Sequence, residues 1–135
     1  MEKTNFIDKL ALIKIENKKT LVSLSRGKDT WYTPGGKREA GEDDKQALSR
    51  EAKEELNVDL IPESIIYYGT FEAQAHGKAE GVIVRMTCYT ADYNGSPQAA
   101  NEIEKIDWFS YSQRGLIATV DKLIFDDLKA KKLIE

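Results

Sequence analysis

Cysteine, histidine and proline are scarce in this chain, and it has no long apolar run and no excess of positive charge. Cys88 is the only cysteine of 135 residues. Set among strand-like residues, it reads as a buried thiol rather than a nucleophile, with cytoplasmic residence as the matching expectation. His76 is the only histidine, and the three prolines all fall at expected turns or breaks. No apolar stretch approaches a membrane span, and Met1-Glu2-Lys3-Thr4-Asn5 leads into no signal-peptide core. No repeat, low-complexity tract or long linker interrupts the chain, so residues 1–135 read as one domain large enough to bury a core. The 20 Lys and Arg against 23 Asp and Glu give a net charge of −3, which argues against a dedicated nucleic-acid binder. That balance still permits a phosphorylated small molecule held through a metal ion.

What the chain does have is concentrated in residues 36–58. Behind a Gly35-Gly36 turn come Glu42 and then Arg50-Glu51-Ala52-Lys53-Glu54-Glu55-Leu56-Asn57-Val58. At about 100° per residue, a helix here puts Glu51, Glu54 and Glu55 on one face. Leu48, Ala52 and Leu56 form an apolar stripe beside them, and Ala47 leaves room on the acidic side. Asp43 is placed to cap this helix, with Gln46 completing a capping box. Asn57 tolerates the left-handed conformation that would end it. A helix rich in Glu, Lys and Arg is usually a solvated face with i,i+4 pairs. The turn and Glu42 ahead of the three glutamates favour a site instead. Carboxylates aimed at one point repel unless a cation sits between them, and Mg²⁺ takes oxygen ligands from carboxylates and substrate phosphates.

The remaining pattern is that of an α/β fold. Residues 9–16 read as a strand, 17–19 as a turn and 20–26 as the hairpin partner. A short strand over 31–33 feeds the Pro34-Gly35-Gly36 turn, and the acidic helix spans 44–56. Pro62 breaks the chain before a strand over 65–75. Residues 76–81 form a hairpin loop, and 82–92 form the next strand. Asn94-Gly95-Ser96-Pro97 is a turn, 103–109 a strand and 119–131 a final helix with Val120, Leu123, Ile124 and Leu128 on one side. Helices after the third and last strands predict a mixed β-sheet packed between helices.

Residues 36–58 resemble the Nudix box, the signature of the Nudix hydrolases. Gly36, Glu42, Arg50, Glu51, Glu54 and Glu55 all match it, and Val58 takes its last aliphatic position. Ala52 is a small residue at the first aliphatic position, and Asn57 replaces the last glycine; neither change removes a metal ligand. The lead-in Trp31-Tyr32-Thr33-Pro34-Gly35-Gly36-Lys37 is also similar to the family's. The resemblance implies a Nudix-type α/β/α sandwich. It also implies hydrolysis of a nucleoside diphosphate linked to another group, with Mg²⁺ as cofactor and Mn²⁺ as a substitute. It makes Glu51, Glu54, Glu55 and the Gly36 carbonyl the metal ligands. One of the box glutamates is then the base, Glu54, Glu51 and Arg50 are the box's catalytic candidates, and Arg50 orients a glutamate, with Glu54 one turn on as the expected partner. Glu42 is an outer ligand or a loop brace.

Outside the box, in a loop where that family often carries a metal-linked or basic glutamate, Glu102 is preferred over Glu104 as the additional catalytic residue. Arg26, Thr33, Lys37 and His76 are candidate substrate-binding residues, and Trp31 is either a base-stacking or a core residue. The secondary marks of the ADP-ribose, diadenosine polyphosphate and coenzyme A subgroups are missing. A MutT-like nucleoside triphosphate pyrophosphohydrolase is therefore the expected type. A nucleotide-sugar or ADP-ribose hydrolase and a catalytically silent nucleotide-binding domain are the alternatives. The expected partner is a small-molecule nucleotide, with neither a nucleic-acid polymer nor a membrane, and the resemblance admits a homodimer.

Overall fold

Strand β1, Asn5–Ile13, shows how the two faces of the molecule arise. Successive strand residues point to opposite sides. Leu10 and Leu12 enter one core cluster with Leu48 and Leu56, while Ala11 and Ile13 enter another with Phe125 and Leu128. A strand buried on both sides becomes an almost continuous apolar run, as residues 10–13 are. These relations come from a computed structural model that describes residues 5–75 and 77–135. The histidine proposed to bind substrate, His76, lies outside the described residues.

Two further strands follow, β2 (Ile15–Glu16) and β3 (Lys19–Ser25), then β4 (Gly35–Gly36) and helix α1 (Asp44–Leu56). After α1 come β5 (Asp59–Leu60), a short 3₁₀ turn at Pro62–Ser64, β6 (Ile66–Gln74) and β7 (Val82–Thr90). The chain ends with β8 (Tyr93–Asn94), β9 (Ile103–Phe109), a 3₁₀ segment at Tyr111–Leu116 and α2 (Thr119–Ala130). One sheet has the order β4-β1-β7-β6, with β1 parallel to β7 and the other pairs antiparallel. A second sheet runs β2-β3-β9, and β5 pairs with β8. The result is the expected mixed sheet between helices: α1 covers the face of Leu10 and Leu12, and α2 the face of Ala11 and Ile13. Among the described residues, no helix is long and apolar enough to cross a membrane.

Three expectations change. Residues 9–16 are not one strand. The chain breaks at Lys14, whose carbonyl accepts the Leu21 N–H at 2.9 Å and whose ammonium pairs with Asp92 at 3.0 Å. The strand therefore leaves one sheet for the other, and only β2 forms the hairpin with β3. In α2, Leu123 is exposed, while Asp121 and Phe125 are buried with Val120, Ile124 and Leu128. Phe125 is fully enclosed, so Phe125→Ala should cost about 3–5 kcal/mol. Ala47, expected to leave space beside the acids, is itself packed in the α1-side core. Cys88 is buried as expected, and burial pushes its thiol pKa up.

Candidate active site

The turn and the helix grip each other. The Asp43 side chain accepts the Gln46 N–H at 2.8 Å, and the Gln46 side chain accepts the Asp43 N–H at 2.9 Å, so α1 starts where the loop ends. At the other end, Asn57 adopts φ 55° and stops it. Gly35 and Gly36 lie antiparallel to Ala11 and Leu10 as β4. A Cβ on Gly35 would strike the Leu10 carbonyl, and one on Gly36 would run into the Glu51 carboxylate. Glycine at 36 therefore lets Glu51 lie against the turn, and glycine at 35 lets the turn pair closely with β1. The Gly35 N–H donates to Glu55 Oε1 at 2.9 Å, bringing a second glutamate under the same turn.

Arg50 organises the acids, with a different principal partner from the one expected. Its guanidinium meets Glu42 in a two-point contact, Nε to Oε2 at 2.7 Å and Nη2 to Oε1 at 2.9 Å. It also donates to Glu51 at 2.7 Å, to the Lys37 carbonyl at 2.9 Å and, at the longer 3.2 Å, to Glu54. Glu42 in turn accepts the Glu39 N–H at 2.7 Å, so of its two expected roles it fills that of a loop brace. The hydrogen bond from Arg50 holds Glu42 below the usual carboxylate range. Burial raises the Glu51 pKa although Arg50 opposes the shift, and burial pushes Glu55 up to about 8 against the opposing Gly35 N–H.

Four of these side chains, Arg50, Glu51, Glu54 and Glu55, line one cavity of about 430 Å³, and Asn101 and Glu102, on the loop before β9, also line it. Asn101 positions that loop. It adopts φ 53°, and its amide donates to the Glu54 carbonyl at 2.6 Å. Glu104 does not join the lining. Among the described residues, no three acidic, histidine or cysteine side chains converge closely enough to hold an ion as they stand. Glu51 is turned to Arg50 and Glu55 to the Gly35 N–H, while Glu54 is half exposed to solvent. The donor set nevertheless fits a hard divalent cation, being all carboxylate oxygen. Burial first and the neighbouring Glu51 and Glu54 next raise the Glu55 pKa, so a cation placed among them would favour its charged form.

The remaining candidates divide. Thr33 is buried and lines a second cavity of about 220 Å³ that shares Glu55 with the first. Arg26 braces the far loop: its N–H donates to the Glu102 carbonyl at 2.9 Å and its Nε to the Asn101 carbonyl at 3.1 Å. The Lys37 side chain is exposed, and its carbonyl serves Arg50. Trp31 packs on Phe109 with ring centroids 5.0 Å apart, a core role. The sequence reading missed Lys9, Tyr32 and Asp121. Lys9 and Tyr32 line the second cavity and a third, of about 120 Å³, beyond it. Asp121 is fully buried and accepts the Thr33 N–H at 2.9 Å, but among the described residues its other oxygen has no hydrogen-bond partner. Burial pushes its carboxyl up to about 6. A signal for it exists, since residues 121, 124, 125 and 128 share a helix face and only the first is polar.

Known proteins share this fold. The chain is 32% identical over 95 residues to mRNA-decapping enzyme subunit 2 of Saccharomyces cerevisiae, covering 70% of this chain. It spans only 10% of the length of that relative. The fold matches the solution structure of the E. coli ORF135 protein with a TM-score of 0.72, at 24% identity over 95% of this chain and 94% of that one. It matches the MutT protein from Methanosarcina mazei Go1 with a TM-score of 0.75, at 16% identity over 97% and 98% of the two chains. The family model described as NUDIX domain covers residues 9–127, which include the turn, the acidic helix, the Glu102 loop and most of α2: the chain belongs to the Nudix hydrolase family.

Proposed function

We propose that this protein, acting as one domain over residues 1–135, is a MutT-like pyrophosphohydrolase. It cleaves a nucleoside triphosphate, or a related nucleoside diphosphate derivative, at a pyrophosphate bond and releases a nucleoside monophosphate. The observation that carries the reading is the half-buried Glu55, held at the boundary between an acidic cavity and a second cavity that reaches toward apolar core. In this reading the diphosphate occupies the first and the nucleoside the second. The yeast relatives are named for mRNA decapping and m7GpppN-mRNA hydrolysis, which supports a polyphosphate-linked nucleoside as the substrate class.

A bound Mg²⁺, or Mn²⁺ in its place, would neutralise the phosphates and make water a better nucleophile. Glu51, Glu54 and Glu55, with the Gly36 carbonyl, are its proposed ligands. Arg50 keeps Glu51 and Glu54 in place, and Glu42 keeps Arg50 in place. Glu102 lines the same cavity, and its carboxylate is the proposed acceptor of a proton from the attacking water. Thr33 borders the nucleoside side, whereas Arg26 and Lys37 act through the loops they hold rather than by touching substrate. His76 keeps its place as a substrate-binding candidate, and cytoplasmic residence belongs to the same reading.

The test is turnover of a nucleotide panel with Mg²⁺ and with Mn²⁺ by wild type, Glu54→Gln, Glu55→Gln and Glu102→Gln. Loss in the first two variants, with folding unchanged, supports the ligand roles. A wild type that binds nucleotides but turns none over would instead be the catalytically silent domain.

A further inference from the structure

Lys9 occupies an unusual place in this molecule. It lies on β1 beside the apolar run of residues 10–13 and is half buried. Among the described residues its ammonium makes no hydrogen bond or salt bridge; it sits 5.7 Å from the centre of the Tyr32 ring. Its charge acts on two carboxyl groups it does not touch, Glu55 on one side and Asp121 on the other. It also stands where the second and third cavities meet, since both are lined by Lys9, Tyr32 and Met86.

The charge pattern of those two cavities says what they would accept. Among the described residues of the lining, three lysines, Lys9, Lys28 and Lys78, face them, and Glu55 at the acidic end is the one carboxylate. Lys28 and Lys78 are exposed at the outer rim, so Lys9 is the inner cation. Around it stand the Tyr32 ring, Met86, Val84 and Val120, walls suited to a flat ring rather than to a phosphate. An ammonium has donors only. A ring placed there gains a charge-assisted hydrogen bond if its edge carries an acceptor, and meets an unanswered donor if that edge carries an amino group.

We propose that Lys9 is a specificity-determining residue whose ammonium donates to an exocyclic carbonyl oxygen of the nucleobase, so that the site takes oxo-bases and disfavours adenine. This rests on the nucleotide-hydrolase reading above, and the test separates the two. Inosine and adenosine triphosphates present purines of one size that differ at the 6-position, and uridine triphosphate adds a pyrimidine with carbonyl edges. Wild type should turn over the inosine and uridine compounds with kcat/KM about ten- to a hundred-fold above adenosine triphosphate. In Lys9→Met that preference should collapse, the inosine and uridine compounds losing far more than the adenosine compound, and Lys9→Arg should restore part of it. A uniform fall for all three substrates would overturn the proposal, because it would mean that Lys9 acts on the phosphates or through Glu55. So would a wild type without base preference.

Binding of inosine and adenosine monophosphates, followed by ligand-observed NMR in chelator, supplies a readout that needs neither metal nor turnover. A Lys9-dependent inosine preference there, without hydrolysis of any triphosphate, would uphold this inference and sink the hydrolase reading. Equal binding of the two monophosphates, or no binding, would sink the inference. If Lys9→Met fails to fold, Lys9→Gln carries the same comparison.

Discussion

Replacing Glu55 with glutamine should make the metal-free protein more stable and the protein useless as a cation binder. In the native state the Glu55 carboxyl is pushed up to about 8 from the ordinary 4.5 because it is desolvated beneath the turn. The folded protein therefore binds one more proton than the unfolded chain between those pH values. Its stability falls as pH rises through that window and is lowest above pH 8. At pH 7 the penalty is at most about 3 kcal/mol, and partial solvent access reduces it to about 1–2 kcal/mol. A glutamine side chain in this place would still accept the Gly35 N–H but has nothing to ionise. Thermal melts in chelator from pH 5 to 9 should show Glu55→Gln gaining over wild type as pH rises, by roughly 3–5 °C per kcal/mol. With Mg²⁺ the order should reverse at neutral pH, because only the wild type gains a ligand-binding term. A variant less stable than wild type at pH 8 in chelator, or one that keeps the full Mg²⁺ response, would refute this account of the site.

Asp121 gives a second pH signature. Its folded pKa of about 6 lies above the ordinary 3.8, so its contribution is present at low pH and lost as pH rises through 6. The stability of Asp121→Asn relative to wild type should therefore climb by up to about 3 kcal/mol from pH 4 to 7 in urea titrations, and a flat difference would count against it. Arg50→Lys keeps the charge but loses the two-point contact with Glu42, and kcat should fall about ten- to a hundred-fold with KM nearly unchanged. Gly36→Ala drives a methyl group into the Glu51 carboxylate, so Mn²⁺ affinity measured by calorimetry should drop at least about ten-fold.

What is legible in the sequence follows a physical division. Local signals read correctly: α1 spans Asp44–Leu56 with the Asp43–Gln46 box at its start and a left-handed Asn57 at its end. These features depend on neighbours a few residues apart. The break at Lys14 is hidden, since it depends on Leu21 and Asp92, which only the folded chain brings close. Leu123 reads as core because it is apolar, yet its angle on α2 points it to solvent, while the polar Asp121 turns inward to meet Thr33. The box pattern locates the acids but not the partner of Arg50, because the i,i+4 geometry that suggests Glu54 competes with a loop that delivers Glu42 face-on. The second cavity is the least legible. Lys9 and Tyr32 are far apart in sequence and become neighbours only through the sheet.

Phosphorus NMR of a nucleoside triphosphate incubated with the protein and Mg²⁺ tests the central claim most directly. The expected spectrum gains a nucleoside monophosphate and inorganic pyrophosphate in equal amounts, and Glu54→Gln or Glu55→Gln suppresses both. A spectrum showing nucleoside diphosphate and orthophosphate, or unchanged triphosphate across the panel with Mg²⁺ and Mn²⁺, would contradict it.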